Sequence, residues 1–162
     1  MHEKFKSILE TNAFDQLSPY KEPVSWTTLT HDERELLGIL FVKQGEHQLL
    51  QGDSKILDSF ELAIKVAPHS AVVYYRQALV YSTQGQNIRC LKAADAALDK
   101  ATLLDPGFIS AWHSWANILV RIGAFYDDAT YCHQADEKFA QTELLAKKEG
   151  KYIESLYWHW GV

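Results

Sequence analysis

The segment that decides the fold spans residues 94–119 and reads ADAALDKATLLDPGFISAWHSWANIL. Apolar residues recur three or four positions apart on both sides of Pro106, for example at Ala94, Leu98 and Ala101 before it. This spacing places them on one face of a helix. Because proline ends one helix and a new apolar-periodic segment follows it, the stretch predicts two consecutive helices joined by a short turn.

The same pattern recurs along the chain. Pro68, like Pro106, follows one apolar-periodic segment and precedes another. The helices that follow carry a large residue and, four positions later, a small one that lets a neighbouring helix approach closely. Seven positions further on, a glycine is expected to end the helix and form the turn to its partner. The large–small pairs are Phe41–Gly45, Tyr74–Ala78, Trp112–Ala116 and Tyr157–Gly161, and the expected turn glycines are Gly52, Gly85 and Gly123.

These residues resemble the tetratricopeptide repeat, a unit of roughly 34 residues that carries W-x-x-L-G-x-x-Y, then A-x-x-x-F-x-x-A, then P. Trp112–Leu119 and Ala94–Pro106 match that pattern best. The resemblance implies an all-α fold, a right-handed superhelical solenoid of antiparallel helix hairpins. The implied blocks are residues 1–30 as an N-terminal helix and extended connection, 31–68, 69–106 and 107–150 as three repeats, and 151–162 as the start of a fourth.

Local signals mark the first helices. Glu3–Leu17 carries apolar residues at helical spacing and predicts a short amphipathic helix that ends at Ser18 and Pro19. The following stretch, up to residue 30, predicts an extended connection. Thr30 and Glu33 form the S/T-x-x-E pattern of a capping box, so the first helix of the repeats should begin there.

The C-terminal part departs from the repeat length. Asp127–Gly150 keeps helical spacing, has lysines at its end and closes on glycine, which predicts an unusually long second helix. Tyr152–Val162 opens a fourth first helix, whereas repeat arrays normally end on a helix with a polar outer face. We therefore expect the chain to be the N-terminal part of a longer repeat protein. The alternative is an aromatic helix that caps the array itself, and Tyr157–Val162 or the N-terminal helix could also pair two copies.

Composition narrows the class of protein. The net charge of −5 gives no broad cationic surface for nucleic acid. The longest apolar run, Leu36–Val42, is far shorter than the about 20 residues that cross a membrane, and residues 1–6 lack the apolar core of a secretory signal. A soluble cytoplasmic protein without membrane contact is expected. Cys90 and Cys132 have no partner at a regular spacing and are interpreted as buried free thiols.

Motifs of catalysis are missing from the sequence. It contains no phosphate-binding G-x-x-x-x-G-K-[ST], no G-x-S-x-G and no H-E-x-x-H. His113, His133 and His159 are isolated or have one neighbour, so neither a metal nor a cofactor is expected. Asp127 and Asp128 resemble a carboxylate pair but stand where a helix begins, so helix capping explains them better than catalysis.

Binding is the function that the resemblance implies. In this family the first helices of the repeats line a concave groove that holds a segment of another protein. A clamp for the carboxylate of a chaperone tail is disfavoured, because Glu46 stands where that clamp has asparagine. The resemblance implies that the residues at the family's ligand-contacting positions line this groove, and they are called the groove set below. They are Val42, Glu46, Leu49, Val72, Tyr75, Arg76, Leu79, Ser82, Ser110, His113, Ser114, Asn117, Val120, Arg121 and Trp158.

A non-catalytic interaction scaffold is the function we expect from this set. Tyr75, Leu79, His113, Val120 and Trp158 would supply apolar or aromatic anchors for an extended or helical peptide. Two alternatives stay open. One is a bacterial secretion chaperone built on such repeats, and the other is a repeat appendage of a larger protein, which could be an enzyme.

Overall fold

The computed structural model describes residues 1–52, 56–83 and 87–150, and within these ranges the chain is helical and contains no strand. The predicted all-α class is therefore confirmed for the described residues, while the solenoid stays a prediction. Consecutive helices pack on each other: α1 on α2, α2 on α3, α5 on α6 and α6 on α7. The α-helices are α1 (His2–Thr11), α2 (His31–Leu50), α3 (Ile56–Val66), α4 (Ala71–Ser82), α5 (Ile88–Leu104), α6 (Ile109–Tyr126) and α7 (Ala129–Lys148).

Each of the three predicted blocks contains two helices. Residues 31–68 hold α2 and α3, residues 69–106 hold α4 and α5, and residues 107–150 hold α6 and α7. Pro68 and Pro106 follow α3 and α5, as predicted. The turn expected at Gly85 and the helix expected over Tyr152–Val162 lie outside the described residues. The chain divides into two compact units, Met1–Gln77 and Ala78–Val162, with the boundary inside α4.

The N-terminal region differs from the prediction. α1 ends at Thr11, and residues 14–20 and 23–26 form two 3₁₀-helices where a longer helix and an extended connection were expected. Asn12 adopts a left-handed conformation (φ 53°), which stops α1 before the apolar pattern ends. The Tyr20 ring then packs edge-on against Phe5 with centroids 5.0 Å apart, and Trp26 Nε1 donates to the Tyr20 carbonyl at 2.6 Å. Tertiary packing of these aromatic residues thus makes the connection compact.

The start of α2 is the capping box that the sequence predicts. The Thr30 side chain accepts from the Glu33 N–H at 3.2 Å, and the Thr30 N–H donates to Glu33 Oε2 at 3.1 Å. The small residue at Gly45 also has the predicted role, because a Cβ there would lie 2.5 Å from Cε1 of Phe60 on α3. Gly52 follows α2 with φ +69°, as expected of a turn glycine.

The second unit contains a correction. Gly123 was expected to end a helix, but it lies inside α6, which continues to Tyr126. Its small size serves close approach instead, because a Cβ would lie 3.1 Å from both the Asp128 carbonyl oxygen and Tyr131 Cβ at the start of α7. The left-handed turn residue is Asp127 (φ 53°), and the backbone N–H groups of Asp127 and Asp128 both donate to the Gly123 carbonyl.

Helix α7 has the predicted length and ends. The Asp128 carboxylate accepts from the Thr130 N–H at 2.9 Å, which confirms capping as the role of this aspartate. Lys147 and Lys148 occupy the last turn, and Gly150 follows with φ +65°. The interpretation of the cysteines as buried is corrected: both are free, but Cys132 is exposed and Cys90 is half-buried.

Candidate interaction site

A cavity of about 120 Å³ lies between helices of the second unit. Five members of its lining belong to the groove set and come from two helices: Leu79 and Ser82 from α4, and Ser114, Asn117 and Arg121 from α6. Ser114 lies one turn before Asn117 on α6. Residues of the groove set from two predicted blocks, 69–106 and 107–150, therefore line the same cavity. The complete lining is Ala78, Leu79, Ser82, Leu98, Ser114, Asn117, Ile118 and Arg121.

A hydrogen bond between α4 and α6 shapes this cavity. Arg121 Nη1 donates to the Ser82 carbonyl oxygen at 3.0 Å, across 39 positions of sequence. That carbonyl belongs to the last residue of α4, where no intrahelical N–H reaches it. The Ser82 hydroxyl donates to the Leu79 carbonyl one turn earlier, at 2.7 Å. Arg121 thus closes the end of α4 and brings a positive charge to the cavity wall.

Asn117 and Ser114 supply the other polar atoms. Asn117 Nδ2 donates to the His113 carbonyl at 3.0 Å and lies 3.4 Å from His113 Nδ1. This contact fixes the carboxamide, whose oxygen has no hydrogen-bond partner within residues 1–52, 56–83 and 87–150. The half-buried Ser114 hydroxyl makes no hydrogen bond to those residues either. The cavity therefore offers an acceptor, a hydroxyl and a guanidinium against the apolar wall of Leu98 and Ile118.

The apolar members of the groove set in this unit have unequal surroundings. Leu79 and Val120 are exposed, with 38% and 40% of their surface accessible. The ring of His113 packs edge-on against Phe139 of α7, with centroids 5.8 Å apart, so His113 serves helix packing. Ser110 is exposed at the start of α6, and Trp158 lies outside the described residues.

In the first unit the groove set divides by burial. Val42 is only 2% exposed and belongs to the core, so its side chain is not available to a partner, contrary to the prediction. The reason is its place on α2, against which both α1 and α3 pack. Glu46 and Arg76 are exposed, and the remaining predicted positions, Leu49, Val72 and Tyr75, are half-buried.

A second cavity, of about 180 Å³, lies in the first unit where α3 leads into α4. Its Ser70 hydroxyl donates to Glu35 Oε1 on α2 and accepts from the Val73 N–H at 3.2 Å, so Ser70 caps α4 and also ties it to α2. Arg34, also in the lining, donates from Nε to the Trp26 carbonyl at 3.2 Å. None of the sequence patterns described above predicts this site. The Ser70–Val73 spacing was a local signal for the cap, but nothing local indicated the contact across 35 positions.

Comparison with known proteins does not assign this chain to a family. No protein-family model matches the chain, and no curated protein shows significant similarity to it. The resemblance to the tetratricopeptide repeat therefore depends on the residues quoted above. None of the helices in the described ranges is long and apolar enough to cross a membrane. The described histidines, cysteines and carboxylates form no group of three or more that could hold a metal ion.

Proposed function

We propose that this chain is a non-catalytic protein-interaction module of the tetratricopeptide type, which binds a segment of another protein. The observation that carries the proposal is the cavity of the second unit. Leu79 and Ser82 from one predicted block and Asn117 and Arg121 from the next meet there, although the sequence pattern only related them through a family resemblance.

The chemistry of the cavity indicates what enters it. Its polar atoms include donors and acceptors, and its volume of about 120 Å³ suits one side chain and not a whole small-molecule ligand, which usually occupies about 300–1,000 Å³. A polar side chain or a backbone amide of an extended segment can pair with the Asn117 oxygen and the Ser114 hydroxyl. The exposed Leu79 and Val120 provide apolar contact on the surface. The site thus suits a peptide with one polar anchor flanked by apolar residues.

The test uses a display library of random peptides with the whole chain as bait. Asn117→Ala removes the acceptor in the cavity. We expect peptides enriched by the wild type to bind this variant about tenfold more weakly, which corresponds to one hydrogen bond to a desolvated partner. Gln134→Ala is the matched control, because it removes the same chemical group from an exposed position on α7.

The outcomes separate the proposal from its alternatives. Loss of binding in Asn117→Ala with retention in Gln134→Ala supports peptide capture at the cavity. Equal binding by both variants, with circular dichroism showing that each is folded, contradicts the site. Failure of the wild type to enrich any peptide contradicts peptide binding itself.

A further inference from the structure

Two tryptophans of α6 form a stacked pair that the proposed peptide site does not use. Trp112 and Trp115 are three residues apart and therefore on one face of the helix. Their ring centroids are 5.6 Å apart and their planes are inclined by 28°. Both side chains are half-buried, so part of each ring remains accessible.

Hydrogen bonds hold both indole rings in place. Trp112 Nε1 donates to the Pro106 carbonyl at 2.9 Å, and Trp115 Nε1 donates to Asp95 Oδ1 on α5 at 2.6 Å. With their N–H groups occupied, the rings have only their π-faces left for further interactions. The Asp95 carboxylate also places a negative charge beside the pair. A rigid π-surface next to an anion favours a cation.

A cation already lies there. Lys138 Nζ of α7 is 4.1 Å from the centroid of Trp115 and 5.5 Å from that of Trp112, both inside the about 6 Å limit of a cation–π interaction. Within the described ranges, the ammonium group makes no ion pair or hydrogen bond. Its N–H donors are therefore not satisfied by protein atoms there, and only its charge is used.

We propose that this two-tryptophan face, made of Trp112 and Trp115 beside Asp95, is a binding site for a quaternary ammonium group, and that Lys138 is an intramolecular occupant that the ligand displaces. A quaternary ammonium carries its charge without N–H donors, so it loses no hydrogen bonds at a surface that offers ring faces. A primary ammonium such as that of Lys138 gives up hydration there without receiving acceptors. The face is therefore better matched to the quaternary group than to the lysine that covers it.

The first experiment removes the side chain that occupies the proposed site. Lys138→Ala removes the occupant, and tetramethylammonium chloride is the probe, titrated against tryptophan fluorescence with sodium chloride at equal ionic strength as the reference. Because a tethered lysine competes at high effective concentration, we expect the variant to bind the probe roughly tenfold more tightly than the wild type. Lys148→Ala is the matched control: it removes an exposed lysine ten positions further along α7 and should behave as the wild type.

A second variant and a wild-type measurement keep the proposal testable if Lys138→Ala folds poorly. Introduced alone, Trp115→Leu should abolish the response of the otherwise wild-type chain to the probe. In the wild type, Lys138 Nζ lies 4.1 Å from the centroid of Trp115, so ring currents should shift the resonances of the adjoining Cε protons. Displacement by the probe should move these resonances towards ordinary lysine values. An unchanged response in Lys138→Ala, a response that survives Trp115→Leu, or wild-type resonances that do not move would each overturn the proposal.

Further arms identify the source of the ligand. Choline represents a free small molecule, and a peptide with one trimethyllysine represents a modified protein. Binding of both at similar strength supports recognition of the ammonium group alone. Binding of the peptide at least tenfold more tightly than choline, with loss on replacement of trimethyllysine by lysine, identifies a protein as the source. Preference for unmethylated lysine over both quaternary probes would contradict the proposal.

Discussion

In both the α2–α3 and the α6–α7 pair, a glycine of the first helix lies against the partner helix. The pairs differ in the type of residue that adopts the left-handed turn conformation. In the first pair Gly45 allows close approach to Phe60, and a separate residue, Gly52, takes the left-handed turn conformation. In the second pair Gly123 allows close approach to the start of α7, while Asp127 takes the left-handed conformation. A similar glycine pattern in sequence therefore corresponds to two different turn structures.

The largest expected effect comes from filling the space at Gly45. Gly45→Val adds atoms where even a Cβ would lie 2.5 Å from the ring of Phe60, which is itself 1% exposed and held in the core. We expect the free energy of unfolding to fall by about 2–3 kcal/mol, as for other overpacked cores. Urea denaturation followed by circular dichroism measures the change.

Glu46→Val is the control for this substitution, since it places valine at an exposed position of the same helix. It should cost no more than about 0.5 kcal/mol, the lower helix propensity of valine. Equal losses in the two variants would mean that Gly45 is not needed for the approach of α3.

A smaller effect is expected at Gly52, the turn residue of the first pair. Gly52→Ala places a Cβ in the left-handed region (φ +69°) but meets no atom of the described residues within 4 Å. The cost is therefore one of backbone conformation alone, about 1 kcal/mol. If Gly52→Ala proved as damaging as Gly45→Val, the distinction between turn and approach would fail for this pair.

The converse substitution in the second pair should be mildly favourable. Asp127→Gly removes a Cβ from a left-handed residue (φ 53°), so strain in the folded state is relieved while the unfolded chain gains freedom. The two effects oppose each other, and we expect a net stabilisation of about 0.5 kcal/mol. Asp127→Ala, which keeps the strain and removes the carboxylate, is the reference for a thermal unfolding comparison. A lower melting temperature for Asp127→Gly than for Asp127→Ala would contradict this account.

Sequence patterns predict those structural features that depend on interactions between residues close together in the chain. The capping box of Thr30 and Glu33 and the cap at Asp128 each involve residues no more than three positions apart, and both are present. Gly123 was misinterpreted because its role depends on where the next helix begins. Spacing alone does not distinguish a glycine that ends a helix from one that lets a second helix approach.

The candidate site was predictable in part, through the resemblance. It named Leu79, Ser82, Asn117 and Arg121, which meet at one cavity, but it also named Val42, which packing places in the core. The bond from Arg121 to the Ser82 carbonyl and the tie between Ser70 and Glu35 join residues 39 and 35 positions apart. Sequence periodicity does not predict such contacts, because they depend on how the helices pack.

The smallest expected effect concerns the starts of the two pairs, both of which use an acidic residue. The Thr30 backbone N–H lowers the pKa of Glu33 at the start of α2, and hydrogen bonds from the side chain and backbone of Thr130 lower the pKa of Asp128 at the start of α7. A carboxyl whose pKa is lower in the folded state stabilises that state above its unfolded pKa, about 3.9 for aspartate, and the contribution is lost as the pH falls through the folded value.

Asp128→Asn isolates this contribution, because asparagine caps a helix nearly as well but carries no charge. We expect the variant to melt slightly below the wild type at pH 7, and the difference to shrink towards zero as the pH is lowered from 5 through the lowered folded-state pKa of Asp128, below which the carboxyl is protonated in both states. Glu33→Gln should behave in the same way for α2, for the same reason. A melting difference that stays constant over this range would show that the Asp128 charge does not contribute, and that its oxygen alone caps α7. If Glu33→Gln nevertheless showed the pH dependence, the two pairs would differ at their starts as they do at their turns.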